Sequence, residues 1–249
     1  MPLRIALLVC AVGSACAGAG VFKPEYEYEE ELSLALDGSA TLNVHASVAS
    51  LVALRGAHLD PDPLARIALD DVRAFFGAPA VPVAVSLSRR DGRRFVHASV
   101  RVADVHDLPR LAPFAWSAYR FARRNEAYEF RQTVGPPAGS DAVAGADQPW
   151  DGDELVAFRM HLPSEITFHN SPSGAIERGN ILAWEQSLTD RRACEPLNIE
   201  VHLEPTSILA RTLLLFGSTV VAAAAALIAV VWWIGRQGRD EVTASPARR

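Results

Sequence analysis

The chain has 249 residues, 49% of them hydrophobic and 21% charged, which is enough for one or two folded domains. Its net charge of −5 and pI of about 5.8 give no basic face of the kind that binds nucleic acid, so we predict no nucleic-acid partner. Lys23 is the only lysine, and this preference for arginine, together with the abundance of alanine, indicates a GC-rich bacterial genome.

Residues 1–17 predict a secretory signal peptide. A single arginine gives a short positive region, an apolar stretch too short to cross a bilayer follows, and Ala15-Cys16-Ala17 is a typical small-residue cleavage site. The segment Ser14-Ala15-Cys16 also ends like a lipoprotein cleavage box, although Gly13 stands where such boxes usually have leucine or valine. Lipidation of Cys16 is therefore the alternative to removal of the whole leader.

Residues 21–205 predict one α+β domain in which a curved antiparallel sheet packs against two helices. Alternating apolar residues on both sides of Asp37-Gly38, and again on both sides of Asp91-Gly92, predict two hairpins. The acidic run at residues 25–31 is interpreted as a solvated sheet edge, where charge discourages unwanted strand pairing.

Two helices are predicted within this domain. The first covers residues 62–77, because Asp62 can cap it, Pro63 fits the first helical position and Gly77 suits its end. The second is short, begins at Asp104 and is interrupted by proline.

The second half of the domain predicts more strands. Two of them flank Arg124-Asn125, and residues 135–152 form a flexible loop, interpreted as a plain insertion or as a lid over a pocket. Residues 163–188 predict a further hairpin with a serine-rich turn. This hairpin carries His169 together with serines and glutamates, but a polar outer face accounts for all of them without catalysis. Residues 196–205 predict the last strand.

The sequence lacks several motifs that are typical of catalytic or cofactor-binding sites. These are Gly-x-Ser-x-Gly, His-Glu-x-x-His, Cys-x-x-Cys and a phosphate-binding glycine loop. Among seven histidines, His161, His169 and His202 lie on predicted strands that could converge on a metal, but their spacing does not require one. Cys194 is the only cysteine of the exported part, so we expect no intramolecular disulfide and a buried, inert thiol. We predict a non-enzymatic protein without metal or cofactor.

Residues 208–234 predict a single transmembrane helix. Its uncharged part, Thr212–Ile234, is long enough to cross a hydrocarbon core of ~30 Å, and two tryptophans at its end suit the membrane interface. Arginines in the tail, residues 235–249, place that tail in the cytoplasm. The domain is then expected outside a bacterial cytoplasmic membrane.

The membrane helix also carries small residues at four-residue spacing, namely Ser218, Ala222 and Ala226. Such a face allows two helices to approach closely, so a homodimer through the helix is predicted, with chance spacing in an alanine-rich helix as the alternative.

The order of these patterns resembles a known family. A hairpin (LSLALDGSATLNV), a second hairpin followed by a short helix (VSLSRRDGRRFVHASVRVADVHDL), a late strand with tryptophan (GNILAWEQSL) and a final strand before one membrane helix are similar to the LppM-type extracytoplasmic membrane proteins of mycobacteria. The resemblance covers residues 25–240 in layout. It implies a curved sheet around helices and binding of lipid or glycolipid without catalysis.

Lipid binding would require a cavity, which a curved sheet with packed helices can leave. The aromatic residues that could line it, with core packing as the alternative, are Trp116, Tyr119, Phe121, Tyr128 and Phe130. The leading hypothesis is a membrane-anchored domain that binds a lipid or another envelope component. An envelope scaffold and an unrecognised hydrolase are the alternatives. An apolar cavity favours the first, an exposed apolar patch the second, and a Ser–His–acid contact the third.

Overall fold

A computed structural model describes residues 26–78, 81–138 and 150–243, with side chains as far as residue 233. The described strands are β1 (Tyr26–Leu34), β2 (Ala40–Ser47), β3 (Val83–Arg90), β4 (Arg93–Val102), β5 (Ser117–Arg124), β6 (Ala127–Val134), β7 (Leu155–His161), β8 (Ser164–His169), β9 (Ile181–Ser187) and β10 (Leu197–Ser207). The α-helices are α1 (Val48–Arg55), α2 (Leu69–Phe76), α3 (Leu188–Arg192) and α4 (Ile208–Thr243), and two 3₁₀ helices cover Val105–Arg110 and Ala112–Phe114. The predicted α+β class with a C-terminal apolar helix is confirmed. The predicted signal peptide, with Cys16, lies outside the described residues, as do residues 139–149 of the loop predicted over 135–152.

The strands divide into two sheets. Six strands pair in the order β3-β4-β2-β1-β7-β9, and four pair in the order β5-β6-β10-β8. The hairpins predicted around Asp37-Gly38, Asp91-Gly92 and Arg124-Asn125 are all present, as the pairs β1–β2, β3–β4 and β5–β6. One neighbouring pair, β1 with β7, is parallel.

The prediction that residues 163–188 form a hairpin is wrong. Its first strand, β8, pairs with β10 in the four-stranded sheet, whereas its second strand, β9, pairs with β7 in the six-stranded sheet. The serine-rich segment therefore bridges two sheets. Sequence alternation identifies each strand, but it does not determine which partner the strand chooses.

The acidic run is also not a solvated edge. Its described residues, 26–31, belong to β1, which lies between β2 and β7 inside the six-stranded sheet, and Glu27, Glu29 and Glu30 are all buried. Their charges are matched by partners distant in sequence: Arg93 pairs with Glu27, and Arg159 lies 3.4 Å from Glu29. Pairs between such distant residues are not visible in a local pattern.

Helix α1 is absent from the sequence-based prediction. Ser47 caps it, its hydroxyl accepting from the Ser50 amide at 3.0 Å, and Gly56 ends it in the left-handed conformation with φ 64°. All eight residues of α1 are buried, so the segment has no polar face that would reveal a helical period. It also follows β2 directly, so in the sequence it looks like a continuation of that strand.

The helix predicted over residues 62–77 is shorter than expected. Only Leu69–Phe76 is helical, with Val72 and Phe76 fully buried. The Asp62 carboxylate accepts from the Leu64 amide at 2.8 Å, so it closes a local turn instead of capping a helix. By contrast, the short helix predicted from Asp104 is confirmed, because the Asp104 carboxylate accepts from the His106 amide at 2.9 Å.

One continuous core fills the space between the sheets and under the helices. It combines the inner faces of both sheets with α1, α2 and the 3₁₀ helices. The largest fully buried side chains are Trp184, Arg191, Tyr28, Phe76, Phe114 and Phe130. At ~25 cal/mol per Å² of apolar surface, side chains of this size dominate the stability of the domain.

Helix α4 contains one apolar segment, Ile208–Trp233, that is long enough to cross a membrane, and its described side chains are exposed. The small residues Ser218, Ala222 and Ala226 lie on it, and a homodimer through them stays a prediction. The prediction for Cys194 is wrong: this thiol is exposed, in a turn after α3 where the residue adopts φ 64°.

Candidate functional site

The five aromatic residues proposed as a pocket lining lie together in the core. Tyr119, Phe121 and Phe130 point inward from β5 and β6, and Phe121 stacks on the partly buried Tyr128 at 5.2 Å between ring centroids. Trp116 packs against the six-stranded sheet, 5.6 Å from Phe158. Packing thus accounts for all five, and their contact with a ligand stays a prediction.

The space between the two sheets is almost closed. The cavity described there measures about 10 Å³, which is room for about one water molecule. It is lined by the polar residues Glu30, Gln132 and Arg159 among apolar side chains. A lipid chain does not fit into this cavity, so a ligand site has to be sought on the surface of the described part of the chain.

A buried polar cluster stands beside that cavity. The Glu30 carboxylate accepts from the Tyr28 hydroxyl at 2.6 Å and from the Trp116 indole at 3.1 Å, and the Arg55 guanidinium stacks on the same indole. Burial raises the pKa of Glu30, and burial lowers the pKa of Arg55 to about 10. Because solvent does not reach these groups, the packing of β1 against the 3₁₀ region is sufficient to explain the cluster.

An open groove at the β3 edge of the six-stranded sheet has the features of a binding site. Its volume is about 600 Å³, within the usual size of ligand pockets. We call it the arginine groove, and its lining residues are Leu64, Ala65, Arg66, Ile67, Leu87, Ser88, Arg89 and Arg94. Leu64 is 80% exposed and Leu87 is 39% exposed, so apolar surface faces the groove beside three guanidinium groups.

The three arginines are held differently. Arg94 is 7% exposed and donates to the backbone carbonyls of Asp60 and Ala65, while its Nε has no hydrogen-bond partner among the described residues. Burial lowers the pKa of Arg94, although Asp60 opposes this shift. Arg89 donates to the Pro63 carbonyl at 3.2 Å, and Arg66 is exposed to solvent. One fixed and two more accessible cations therefore surround the groove.

The strand register places like charges side by side. Arg89 lies directly opposite Arg94 across the β3–β4 pair, an arrangement that destabilises a sheet unless an anion compensates it. No carboxylate lies among the described lining residues, although the nearby Asp60 and Asp62, which also accept backbone amides of their own loop, compensate part of the charge of Arg94. The groove thus suits a ligand with an anionic group and an apolar part.

Sequence reasoning missed this site, although one signal was present. Two arginine pairs flank Asp91-Gly92, and this concentration of charge at one hairpin turn is visible in the sequence. Arg66 is a different case, because it reaches the groove only when residues 60–68 form a loop, and the sequence-based prediction placed a helix there.

Polar contacts on the outer face of the six-stranded sheet bear on catalysis. The Ser88 hydroxyl lies 2.6 Å from Nε2 of His97, whose Nδ1 lies 2.7 Å from Nδ1 of His45. A serine and a histidine are thus in contact, but the third member is a histidine and not a carboxylate. Among the described residues, no carboxylate accepts a hydrogen bond from either histidine of this contact, whereas a Ser–His–acid triad places one there.

The segment 163–188 contains no Ser–His–acid contact either. The Ser171 hydroxyl donates to the Ala183 carbonyl at 2.7 Å, and the His169 ring accepts from the Ser171 amide at 3.3 Å. Glu177 pairs with Arg159 at 2.6 Å. These contacts join the two sheets and do not activate a nucleophile.

Another polar cluster lies on β6 and β10. Donor atoms of Glu129, Glu200 and His202 all lie within 4.8 Å of one another, a donor set that could hold a metal ion. Arg131 pairs with both carboxylates, and Arg124 lies 3.0 Å from Glu129. Arginine already neutralises these carboxylates, so the arrangement is explained as an ion-pair network.

The histidine pair predicts a pH dependence of stability. Burial lowers the pKa of His97, and the neighbouring His45 and Arg90 lower it further. The folded state therefore favours neutral His97, and its contribution to stability is complete above pH 6.5 and is lost as the pH falls below that value. We expect His97→Gln to reduce the loss of unfolding free energy between pH 7.5 and 5.5, measured by denaturant titration. The exposed His58→Gln should leave the loss unchanged, and equal losses in all three proteins would contradict this assignment.

Comparison with solved structures finds a distant resemblance to a mycobacterial domain. The folded domain of LppM from Mycobacterium tuberculosis, solved by NMR, is 14% identical, and the match covers 77% of this chain and 97% of that domain with a TM-score of 0.40. No family model and no curated protein matches the chain. The likeness to LppM-type domains expected from the sequence is thus found as a distant structural resemblance only.

Proposed function

We propose that this protein is a membrane-anchored envelope protein whose domain binds an anionic lipid, or a similar anionic amphiphile of the envelope, in the arginine groove and does not transform it. The observation that carries this proposal is the combination of three arginines with exposed leucine side chains around one open groove of about 600 Å³. The apolar helix Ile208–Trp233 supports the anchoring. The predicted signal peptide and the tail arginines support export of the domain across a bacterial cytoplasmic membrane.

The absence of catalysis is part of the same proposal. Its support is that the described Ser–His contact, Ser88 with His97, is completed by His45 instead of a carboxylate. A binding site needs charge and apolar surface, and the groove has both. A hydrolase would in addition need an activated nucleophile and an oriented base.

Removal of groove charge tests the proposal. Each arginine near an anionic headgroup contributes about 1 kcal/mol, so Arg66→Gln/Arg89→Gln should weaken binding of a short-chain phosphatidylglycerol about 30-fold. The full chain is placed in phosphatidylcholine nanodiscs, and binding is measured by calorimetric titration below the micelle concentration of the ligand. The matched control is Arg120→Gln/Arg123→Gln, which removes two exposed arginines of β5.

The control should bind like the unmodified protein, and short-chain phosphatidylcholine should bind weakly to all three. Equal affinities of the groove variant and the control variant would reject the groove as the site. Inorganic phosphate tests the apolar part: if it binds as tightly as the lipid, the leucines contribute nothing.

A further inference from the structure

The junction between the domain and the membrane helix contains no linker. Strand β10 ends at Ser207 and α4 begins at Ile208. The Ile208 amide donates to the Pro163 carbonyl at 2.9 Å, and the Ser207 hydroxyl accepts from the Ala210 amide at 3.1 Å. The first turn of α4 is therefore hydrogen-bonded to the last residue of β10 and to Pro163, which directly precedes β8.

Ion pairs strengthen this junction. Arg211 lies 3.0 Å from Glu165 at the start of β8 and 2.5 Å from Glu204 in β10. A cation on the second turn of the helix thus contacts both strands that lead to it. These contacts fix the end of the domain formed by the start of β8 and the end of β10 to the membrane helix, and that end faces the bilayer.

The strand register fixes where the arginine groove lies relative to this end. Leu87 in the groove belongs to a row of paired residues that crosses the sheet through Val96, Ala46 and Tyr28 to Val156. Strand β7 runs on from Val156 to His161, and Pro163 and Ser164 follow at the junction.

Five residues separate that row from His161, which corresponds to about 17 Å along the strands at ~3.3 Å per residue. Four strand spacings of ~4.8 Å separate β3 from β7, which adds about 19 Å across the sheet. The groove therefore lies at the end of the six-stranded sheet that is remote from the helix, and to one side of it.

We infer that the arginine groove takes its ligand from the aqueous side of the membrane and not from the bilayer that anchors the chain. This inference rests on the proposed function and adds the source of the ligand to it. The ligand is an anionic amphiphile that reaches the groove through the aqueous space, as a monomer or from a second envelope layer. A lipid that remains in the anchoring leaflet keeps its headgroup at the opposite end of the domain.

Contact quenching in nanodiscs tests this geometry. The full chain with Cys194→Ser receives a fluorophore either at the groove, through Leu64→Cys, or beside the helix, through Thr206→Cys, and both positions are exposed. The nanodiscs contain lipid with a spin-labelled headgroup. We expect the probe at 206 to be strongly quenched and the probe at 64 to retain the intensity it has in unlabelled nanodiscs.

The result that overturns the inference is quenching at 64 as strong as at 206, because the groove would then touch its own bilayer. The protein labelled at 206, whose groove is unmodified, is titrated calorimetrically with short-chain phosphatidylglycerol, with and without Arg66→Gln/Arg89→Gln. Failure of this titration to depend on the arginines rejects the proposed function, whatever the quenching shows. Arginine-dependent binding with a quenched probe at 64 rejects only the source of the ligand.

Discussion

Truncation after Ser207 is expected to convert the protein from one that stays with membranes in alkaline carbonate to one that is fully soluble. The buried core ends at Leu203, whereas the described side chains of Ile208–Trp233 are exposed. The helix therefore contributes membrane affinity and almost no packing to the domain, and about 20 apolar residues are sufficient to hold a chain in a bilayer. Carbonate extraction followed by flotation measures the difference.

The matched control keeps the helix and weakens only its junction. Arg211→Gln removes contacts to Glu165 and Glu204, but these pairs are exposed and solvent screens them, so each contributes little. This variant should remain in the membrane fraction. Both proteins carry Cys16→Ser, so that no lipid is attached at that position. Truncated protein that still floats with vesicles would then show that the domain binds the bilayer by itself, and would contradict the position assigned to the groove.

Substitution of Trp116 by alanine is expected to cause the largest loss of stability, about 3–5 kcal/mol of unfolding free energy. The Trp116 ring packs at 5.7 Å on Tyr28, edge to face, donates to Glu30 and stacks on Arg55. Removal of the indole leaves a cavity. It also leaves a buried carboxylate short of a donor and a buried guanidinium without its aromatic face.

Denaturant unfolding of the truncated domain measures this loss. Trp116→Phe keeps part of the packing but not the indole N–H, so an intermediate loss is expected. Leu64→Ala removes a side chain that is 80% exposed, and it should change the free energy by no more than about 0.5 kcal/mol. A change below about 1 kcal/mol for Trp116→Ala would show that the buried cluster does not hold the sheets together.

Local patterns in the sequence predicted most strands, because alternation and Asp-Gly turns are properties of neighbouring residues. The membrane helix was predicted for the same reason. Pairings between distant segments could not be predicted: β8 and β9 look like one hairpin, yet they join different sheets. The buried Glu27 and Glu29 find Arg93 and Arg159 only after the chain folds.

The candidate site shows the same limit. Arginines at the turn after β3 were visible in the sequence, but their proximity to Leu64 and Arg66 depends on the loop of residues 60–68. Residues 62–68 of that loop belong to the predicted helix, because Asp62 and Pro63 are a typical helix start. The aromatic residues between 116 and 130 were considered for a pocket because a sequence does not distinguish a core aromatic from one that lines a cavity.

Photo-crosslinking of the full chain with an anionic lipid that carries a diazirine on its acyl chain tests the central claim most directly. The lipid is added from solution to protein in phosphatidylcholine nanodiscs, and the crosslinked peptides are identified by mass spectrometry. If the lipid binds in the arginine groove, adducts are expected within residues 64–67 and 87–89. These adducts should be absent from the Arg66→Gln/Arg89→Gln variant. Adducts concentrated between Trp116 and Phe130, unchanged in that variant, would contradict the account and place the ligand in the core.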